Sequence, residues 1–169
     1  MRGVSGAGKS TEAARLGRGG AVIGSDSFFM QNGVYHFDQK LLPQAHQSCI
    51  NRVSEAMQQD VSPIVCDNTN LERWESKPYV ELADRYGYQV RIAEPHTPWR
   101  LDVDELTRRN RHGVTRERIQ EMVNAYHQNN PFTADTVRNS RKPEPIQPQA
   151  FAWYDRYLTS DGRALSYFS

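Results

Sequence analysis

The residues that decide the fold are 3–11, GVSGAGKST. They match the whole of the phosphate-binding loop pattern G-x-x-x-x-G-K-[ST]. The glycines let the backbone turn successive N–H groups inward, and the helix that follows adds its positive N-terminal end. Lys9 is expected to reach the β- and γ-phosphates of ATP, and the Ser10 hydroxyl to bind Mg²⁺. The predicted nucleotide-binding residues of this loop are Gly3, Ser5, Gly6, Ala7, Gly8, Lys9, Ser10 and Thr11.

Short apolar runs alternate with helical patterns after the loop. Apolar or alternating residues bounded by turn signals predict strands at 21–24, 64–66 and 88–93. Apolar residues at helical spacing predict helices at 11–16, at 43–59, and from a start between 71 and 78 to Gly87. This alternation predicts an α/β fold, a three-layer sandwich with a largely parallel central sheet.

An acidic residue follows each of the first two predicted strands, Asp26 and Asp67. In open α/β sheets, ligands gather beyond the carboxyl ends of the strands, so both carboxylates could face the γ-phosphate. Phosphate transfer to a hydroxyl needs a base or orienter at this place. The alternative is structural, because either carboxylate could instead cap the next helix or turn.

A polar, arginine-rich segment lies between two further predicted helices. The first helix is expected to begin at Thr97-Pro98, and the second after Thr115 as its N-cap. Arginine suits a lid that closes over a triphosphate, because its guanidinium forms planar bidentate pairs. A solvated charged face is the alternative. The arginines of the segment are Arg108, Arg109, Arg111 and Arg116.

A phosphate loop serves kinases, GTPase switches and ATP-driven motors. The sequence has no Asn-Lys-x-Asp segment for guanine specificity, and its D-x-x-G match at 84–87 falls at the end of a predicted helix. Motors of this class usually need a longer chain. A kinase therefore fits best, with a small-molecule kinase and a nucleotide-binding interaction protein without turnover kept as alternatives.

The composition limits the partners of the chain. The formal net charge is +1 over 169 residues, which argues against binding nucleic acid by bulk charge, so any such contact must be local. The longest apolar run, 150–154, is too short to cross a membrane, and the N-terminus lacks the apolar core of a secretory signal. Two cysteines, Cys49 and Cys66, are interpreted as buried thiols in a reducing cytoplasm.

Four segments together resemble the polynucleotide kinase-type family of P-loop phosphotransferases, and the resemblance covers residues 1 to about 128. The segments are 3–11, 24–28, 64–70 and 105–114. The resemblance implies a P-loop kinase fold with an arginine-rich lid, a kinase activity with ATP and Mg²⁺, and a nucleic acid as the phosphate acceptor.

The resemblance also implies roles for individual residues. Asp26 would be the general base on the acceptor hydroxyl, and Lys9 and Ser10 would hold the phosphates and Mg²⁺. Asp67 would lie beside the phosphates or the acceptor, as a candidate magnesium ligand with Ser10. Arg109 and Arg111 would sit in the lid over ATP as catalytic residues, and Arg108 is a further candidate ATP-binding residue.

One position departs from the family pattern. The phage enzyme of this family has an arginine three residues after the general base, and this chain has Phe29 there. Kinases that phosphorylate 5-hydroxymethyluracil in phage DNA are similar small P-loop proteins. Phe28 and Phe29 could stack on a base, and burial under the sheet is the equal alternative. Two acceptors therefore stay open, a 5′-hydroxyl end and a hydroxymethylated base, with DNA favoured and host cytoplasm as the location if the protein is viral.

Both ends of the sequence carry expectations of their own. Only Met1 and Arg2 precede the loop, which predicts either a stunted first strand or a start codon upstream. Residues 129–149 hold four of nine prolines, which predicts an extended, weakly ordered connection between a kinase core, 1–128, and an aromatic tail that packs on the core. The tail aromatics are Phe151, Trp153, Tyr154, Tyr157, Tyr167 and Phe168.

Overall fold

The computed structural model describes residues 1–143, and the tail aromatics lie outside the described residues. The α-helices are α1 (Lys9–Leu16), α2 (Leu42–Gln58), α3 (Arg73–Tyr86), α4 (Val103–Arg109), α5 (Arg116–Gln128) and α6 (Ala134–Arg138). The strands are β1 (Ala21–Ile23), β2 (Met30–Gln31), β3 (Val34–Tyr35) and β4 (Ile64–Cys66), and 3-10 helices span Ser25–Phe29 and Gln39–Leu41. No helix within 1–143 is long and apolar enough to cross a membrane.

Strands β1 and β4 form the parallel pair that the apolar runs predict. Their register places Ile23 opposite Cys66, and the pairing continues one residue further, where the Asp67 N–H donates to the Ile23 carbonyl at 2.8 Å. Helix α2 packs on this pair through Cys49, Val53 and Met57. The α/β class and its parallel sheet are confirmed, and the three-layer sandwich stays a prediction.

Residues 1–3 lie between β4 and the segment that precedes α4. The Gly3 N–H donates to the Thr69 carbonyl and the Arg2 N–H to the Ala93 carbonyl, both at 2.9 Å. No strand is assigned at 1–8 or at 88–93, so the predicted strand at 88–93 is wrong. A strand requires repeated pairing, and the Arg2 bond to Ala93 is a single one.

Helix α4 begins later than predicted. Its N-cap is Asp102, whose carboxylate accepts from the N–H groups of Asp104 and Glu105, so the predicted start at Thr97 is wrong. The Thr97 hydroxyl instead donates to the Ala7 carbonyl at 2.9 Å. A side chain bonded to the phosphate loop is not available to cap a helix.

The segment after α5 is also more ordered than its composition predicts. Thr133 caps α6, Val137 is fully buried, and Arg138 forms an ion pair with Asp84 of α3 at 2.7 Å. Over the described residues 129–143, the prediction of a wholly extended connection is therefore wrong. The boundary between a core of 1–128 and a tail of 129–169 stays a prediction.

An unpredicted antiparallel hairpin, β2 and β3, follows the first 3-10 helix. Asn32 and Gly33 form its turn with positive φ angles of 51° and 78°, which suits a type I′ connection. Beneath it, a small cluster of apolar side chains is centred on Phe29, Leu42 and Ala45, with Tyr35 and Phe37 packed against it. This cluster supports the 3-10 helix that carries Asp26.

Candidate nucleotide-binding site

The phosphate loop is held by hydrogen bonds to its carbonyl groups. The Lys9 ammonium donates to the Val4 carbonyl at 3.1 Å, and the Trp99 indole donates to the Gly6 carbonyl at 3.3 Å. Together with the Thr97 bond, these contacts turn three carbonyls of the loop toward protein donors. The arrangement leaves amide groups of the loop available to face an anion.

Glycine is required where the loop approaches α4. Gly6 and Gly8 have φ angles of 84° and 92°, which side chains rarely adopt. A Cβ at Gly6 would lie 2.8 Å from the Leu106 carbonyl. The loop therefore rests directly on the helix that carries the predicted lid arginines.

Lys9 lies at the centre of the site. Its side chain is buried, and burial lowers the pKa of its ammonium to about 8, against the opposing effects of Asp67 and Asp26. The structure thus brings together the lysine and the two acids that the sequence indicated. Gly3, Ser5 and Ala7 are buried around it, while Ser10 and Thr11 are exposed at the start of α1.

The two carboxylates influence each other. Burial raises the pKa of Asp26 to about 7, Asp67 raises it further, and Lys9 and the Tyr35 hydroxyl oppose the rise. The buried Oδ1 atoms of Asp26 and Asp67 have no hydrogen-bond partner within 1–143. Unsatisfied buried carboxylate oxygens are costly in a folded protein unless a ligand uses them.

The unpartnered Asp67 oxygen is of the type that would suit a magnesium ion. No group of three or more His, Cys, Asp or Glu side chains among residues 1–143 could hold a metal alone. Mg²⁺ usually keeps several waters and is bound by one or two carboxylates plus substrate phosphates. The residues that would hold it here are Ser10 and Asp67.

A buried asparagine ties the two acidic segments together. Asn68 accepts hydrogen bonds from the Ser25 N–H at 3.0 Å and the Ser25 hydroxyl at 2.6 Å. Its amide group donates to the Tyr79 hydroxyl at 3.3 Å. The position of Asp26 relative to Asp67 therefore depends on a side chain that the sequence reasoning assigned no role.

Two aromatic residues near the acids were missed from the sequence. The Tyr35 hydroxyl lies beside the Asp26 carboxyl and helps to hold its pKa down, although the two groups do not meet the geometry of a full hydrogen bond. The His112 ring lies 5.5 Å from the Tyr35 ring, and burial and nearby Lys9 lower its pKa. The Asn-Gly pair at 32–33 was the signal for a hairpin that folds Tyr35 back toward Asp26.

The predicted lid arginines differ in their surroundings. Arg108 and Arg109 both form ion pairs with Glu105, at 2.7 and 2.8 Å. Arg109 also stacks over the Trp99 ring at 3.8 Å, and Trp99 is bonded to the phosphate loop. Arg111 is exposed, and Arg116 pairs with Asp104. Of the predicted lid residues, Arg109 thus has the firmest structural connection to the loop.

Two further features lie apart from this centre. Phe29 is 2% exposed within its apolar cluster, so of the two alternatives for this residue, burial is confirmed and stacking on a base is wrong. A cavity of about 400 Å³ is lined by α1, by residues 91–94 and 96, and by Phe132. It shares no lining residue with the Lys9, Asp26 and Asp67 centre.

The chain is similar in sequence to a protein family and to several known proteins. A family model described as AAA domain matches residues 1–129. The chain is 41% identical over 150 residues to human NEDD4-binding protein 2, covering 87% of this chain and 8% of that protein. It is 28% identical over 126 residues to mouse 2′,3′-cyclic-nucleotide 3′-phosphodiesterase, covering 72% of this chain and 29% of that protein. The rat protein of the same name is 30% identical over 114 residues, and 26% of its length is covered. The chain thus spans less than a third of each of these relatives.

Proposed function

We propose that this chain, which belongs to the AAA domain family of P-loop proteins, is an ATP-dependent kinase. Its proposed acceptor is a hydroxyl group of a nucleic acid. The main support for the proposal is the proximity of Lys9 to Asp26 and Asp67 at the carboxyl ends of a parallel strand pair. A cation for the phosphates and a carboxylate with a pKa near neutrality are the two groups that such a transfer requires.

The proposed transfer is a single displacement. The Asp26 carboxylate accepts the proton of the acceptor hydroxyl, and the oxygen attacks the γ-phosphorus of ATP. The bond between that phosphorus and the β–γ bridging oxygen breaks, and ADP leaves. Catalysis then depends on positioning and on charge stabilisation, without a covalent intermediate.

The other proposed roles follow the positions of the side chains. Lys9 neutralises charge on the β- and γ-phosphates, while the loop amides bind their oxygens. Mg²⁺ held by Ser10 and Asp67 would offset the negative charge of the triphosphate. Arg109 would provide the lid cation, because it stacks on Trp99, whose indole is bonded to the loop, and Arg108 and Arg111 would add positive charge in the same segment.

The relatives favour RNA over DNA as the acceptor. A 2′,3′-cyclic phosphate requires a 2′-hydroxyl, so a protein with the name 2′,3′-cyclic-nucleotide 3′-phosphodiesterase acts on a ribonucleotide. This likeness supports RNA in place of the DNA preference from the sequence, and it gives no support to a hydroxymethylated base.

A labelling experiment tests the proposal. The full chain is incubated with γ-labelled ATP, Mg²⁺ and one acceptor at a time: 5′-hydroxyl RNA, 5′-hydroxyl DNA, hydroxymethyluracil DNA or free nucleosides. Transfer to RNA is expected to be strongest, and Asp26→Asn is expected to abolish it while ATP binding persists. Labelling of nucleosides alone would favour a small-molecule kinase.

Two other outcomes would replace the proposal with another class of protein. ATP binding without transfer to any acceptor would indicate a nucleotide-binding interaction protein. Hydrolysis of a 2′,3′-cyclic nucleotide without transfer would indicate a phosphodiesterase.

A further inference from the structure

The turn that carries Asp26 is bonded to a cation from α2. The Arg52 guanidinium donates to the Ser27 hydroxyl, and that hydroxyl donates to the Gly24 carbonyl at 3.0 Å. Both side chains are exposed. The contact therefore holds Arg52 at the solvent edge of the turn, bonded to the residue that follows the proposed base.

The packing of α2 fixes where this arginine lies. One turn before it, Cys49 is buried against the Ile23 carbonyl and the Asn68 amide. The next residue, Val53, is fully buried. Because Arg52 lies between these two anchors, its backbone cannot move away from the turn without disrupting the core.

The charge of Arg52 is available for a ligand. Its partner, Ser27, is neutral, and no carboxylate of residues 1–143 forms an ion pair with it. Arg109, in contrast, is paired with Glu105.

In an acceptor strand, the first negative charge lies one sugar away from the reactive end. Its terminal 5′-hydroxyl is uncharged, and the first phosphodiester lies on the far side of the same sugar. If the hydroxyl is at Asp26, the phosphodiester must lie beyond the carboxylate, where an anion needs a cationic partner. An arginine suits this place because it binds two phosphate oxygens at once.

We infer that Arg52 binds the first phosphodiester of the acceptor strand and thereby makes the enzyme select polynucleotides over nucleosides. The inference rests on the proposed function and names the part of the acceptor that the site recognises. Arg52 occupies the solvent edge of the Asp26 turn, whereas Phe29 is turned into the apolar cluster beneath it.

The test compares two acceptors that differ in one linkage, which is charged in one and neutral in the other. One is a 5′-hydroxyl dinucleoside with a phosphodiester linkage, and the other has an uncharged methylphosphonate in its place. The wild-type chain is expected to prefer the charged acceptor by about tenfold in kcat/KM, as a charge-assisted hydrogen bond predicts. Arg52→Gln is expected to lose this preference through a raised KM, with the KM for ATP unchanged.

Two variants serve as controls. Arg52→Lys keeps the charge and should retain part of the preference. Arg85→Gln removes an exposed arginine from the last turn of α3 and should retain all of it. The salt dependence of kcat/KM with a single-stranded oligonucleotide should weaken by about 0.7 in logarithmic slope in Arg52→Gln only.

The outcomes separate this inference from the function on which it rests. If wild-type protein phosphorylates both dinucleosides and Arg52→Gln keeps the preference, or loses activity equally on both, the inference is overturned and the kinase stands. If wild-type protein phosphorylates neither dinucleoside nor any longer strand, the proposed function fails and the inference falls with it.

Discussion

Asn68 accepts two hydrogen bonds from Ser25, at 3.0 Å from its N–H and 2.6 Å from its hydroxyl. Asn68 follows Asp67, and Ser25 precedes Asp26, so one amide side chain links the backbones on which both acids are carried. The link is buried, where hydrogen bonds are strengthened and their loss is costly.

Replacing Asn68 by Ala should therefore affect stability and transfer together. The variant leaves the Ser25 N–H and hydroxyl without their partner, which should cost about 2–4 kcal/mol in the free energy of unfolding. A displaced Asp26 should lower kcat by about 10- to 100-fold. Urea denaturation and the labelling assay measure the two effects. Asn51→Ala, at an exposed position on α2, is the control, and an unchanged kcat in Asn68→Ala would refute the linking role.

Lys9→Met should separate stability from function. The substitution removes the cation that the phosphates need, so transfer should fall by at least about a thousandfold. Because burial lowers the pKa of Lys9 to about 8, its charge is unfavourable in the folded protein, and the melting temperature at pH 7 should not fall. Differential scanning calorimetry checks the stability, and a markedly less stable variant would contradict this account.

The sequence predicted the parts of the site that follow from a local motif or from the tendency of ligands to bind at the carboxyl ends of parallel strands. The phosphate loop identifies Lys9 directly, and two short apolar runs place Asp26 and Asp67 at neighbouring strand ends. The predicted bounds of β4 agree with the structure, and Thr115 caps α5 as expected.

The rest depended on contacts between distant residues. Thr97 has the sequence signature of a helix cap, yet its hydroxyl is bonded to Ala7, 90 residues earlier. Tyr35 and His112 are 77 positions apart and their rings lie next to each other. The segment 88–93 alternates as a strand does, but a strand also needs a neighbour that pairs with it repeatedly. Local sequence carries no information about such partners.

The pH dependence of transfer should be a narrow bell. In the free enzyme, Asp26 must be ionised to accept a proton, so kcat/KM should rise with pH through about 7. Lys9 must be charged, so kcat/KM should fall through about 8. In kcat, measured with ATP bound, the falling limb should move to higher pH because the phosphates stabilise the ammonium. A flat profile between pH 6 and 9 would contradict the assignment of both groups.

Asp26→Asn should stabilise the protein in a pH-dependent manner. The folded-state pKa of Asp26 is raised from 3.8 to about 7, so the protonated form is the one that favours folding. That contribution is complete below about pH 4 and is lost as pH rises through 7. The variant should therefore melt with the wild type at pH 4 and several degrees above it at pH 8. Thermal scans at both values test this, and an equal gain at both would count against the raised pKa.

Tyr35→Phe should shift the acidic limb of the activity profile. The hydroxyl helps to hold the pKa of Asp26 down, so its removal should move the rising limb above pH 7. Activity relative to the wild type at the same pH should be several-fold lower at pH 6.5 and equal at pH 8.5, while the ring stays packed on Phe29 and Phe37. Tyr88→Phe, which removes a hydroxyl bonded to Val61 far from the site, is the matched control. Loss of activity that is the same at every pH would indicate a packing role instead.

Arg109 and Arg108 offer a paired test of the lid. Both guanidinium groups contact Glu105, but only Arg109 of the two stacks on Trp99, whose indole is bonded to the phosphate loop. Arg109→Ala should lower kcat by at least about 100-fold if its guanidinium stabilises the transferring phosphoryl group. Arg108→Ala, at a side chain that is 67% exposed, should stay within about threefold. Single-turnover kinetics with saturating ATP separates the chemical step from binding, and equal losses in the two variants would mean that the Trp99 contact does not select the lid arginine.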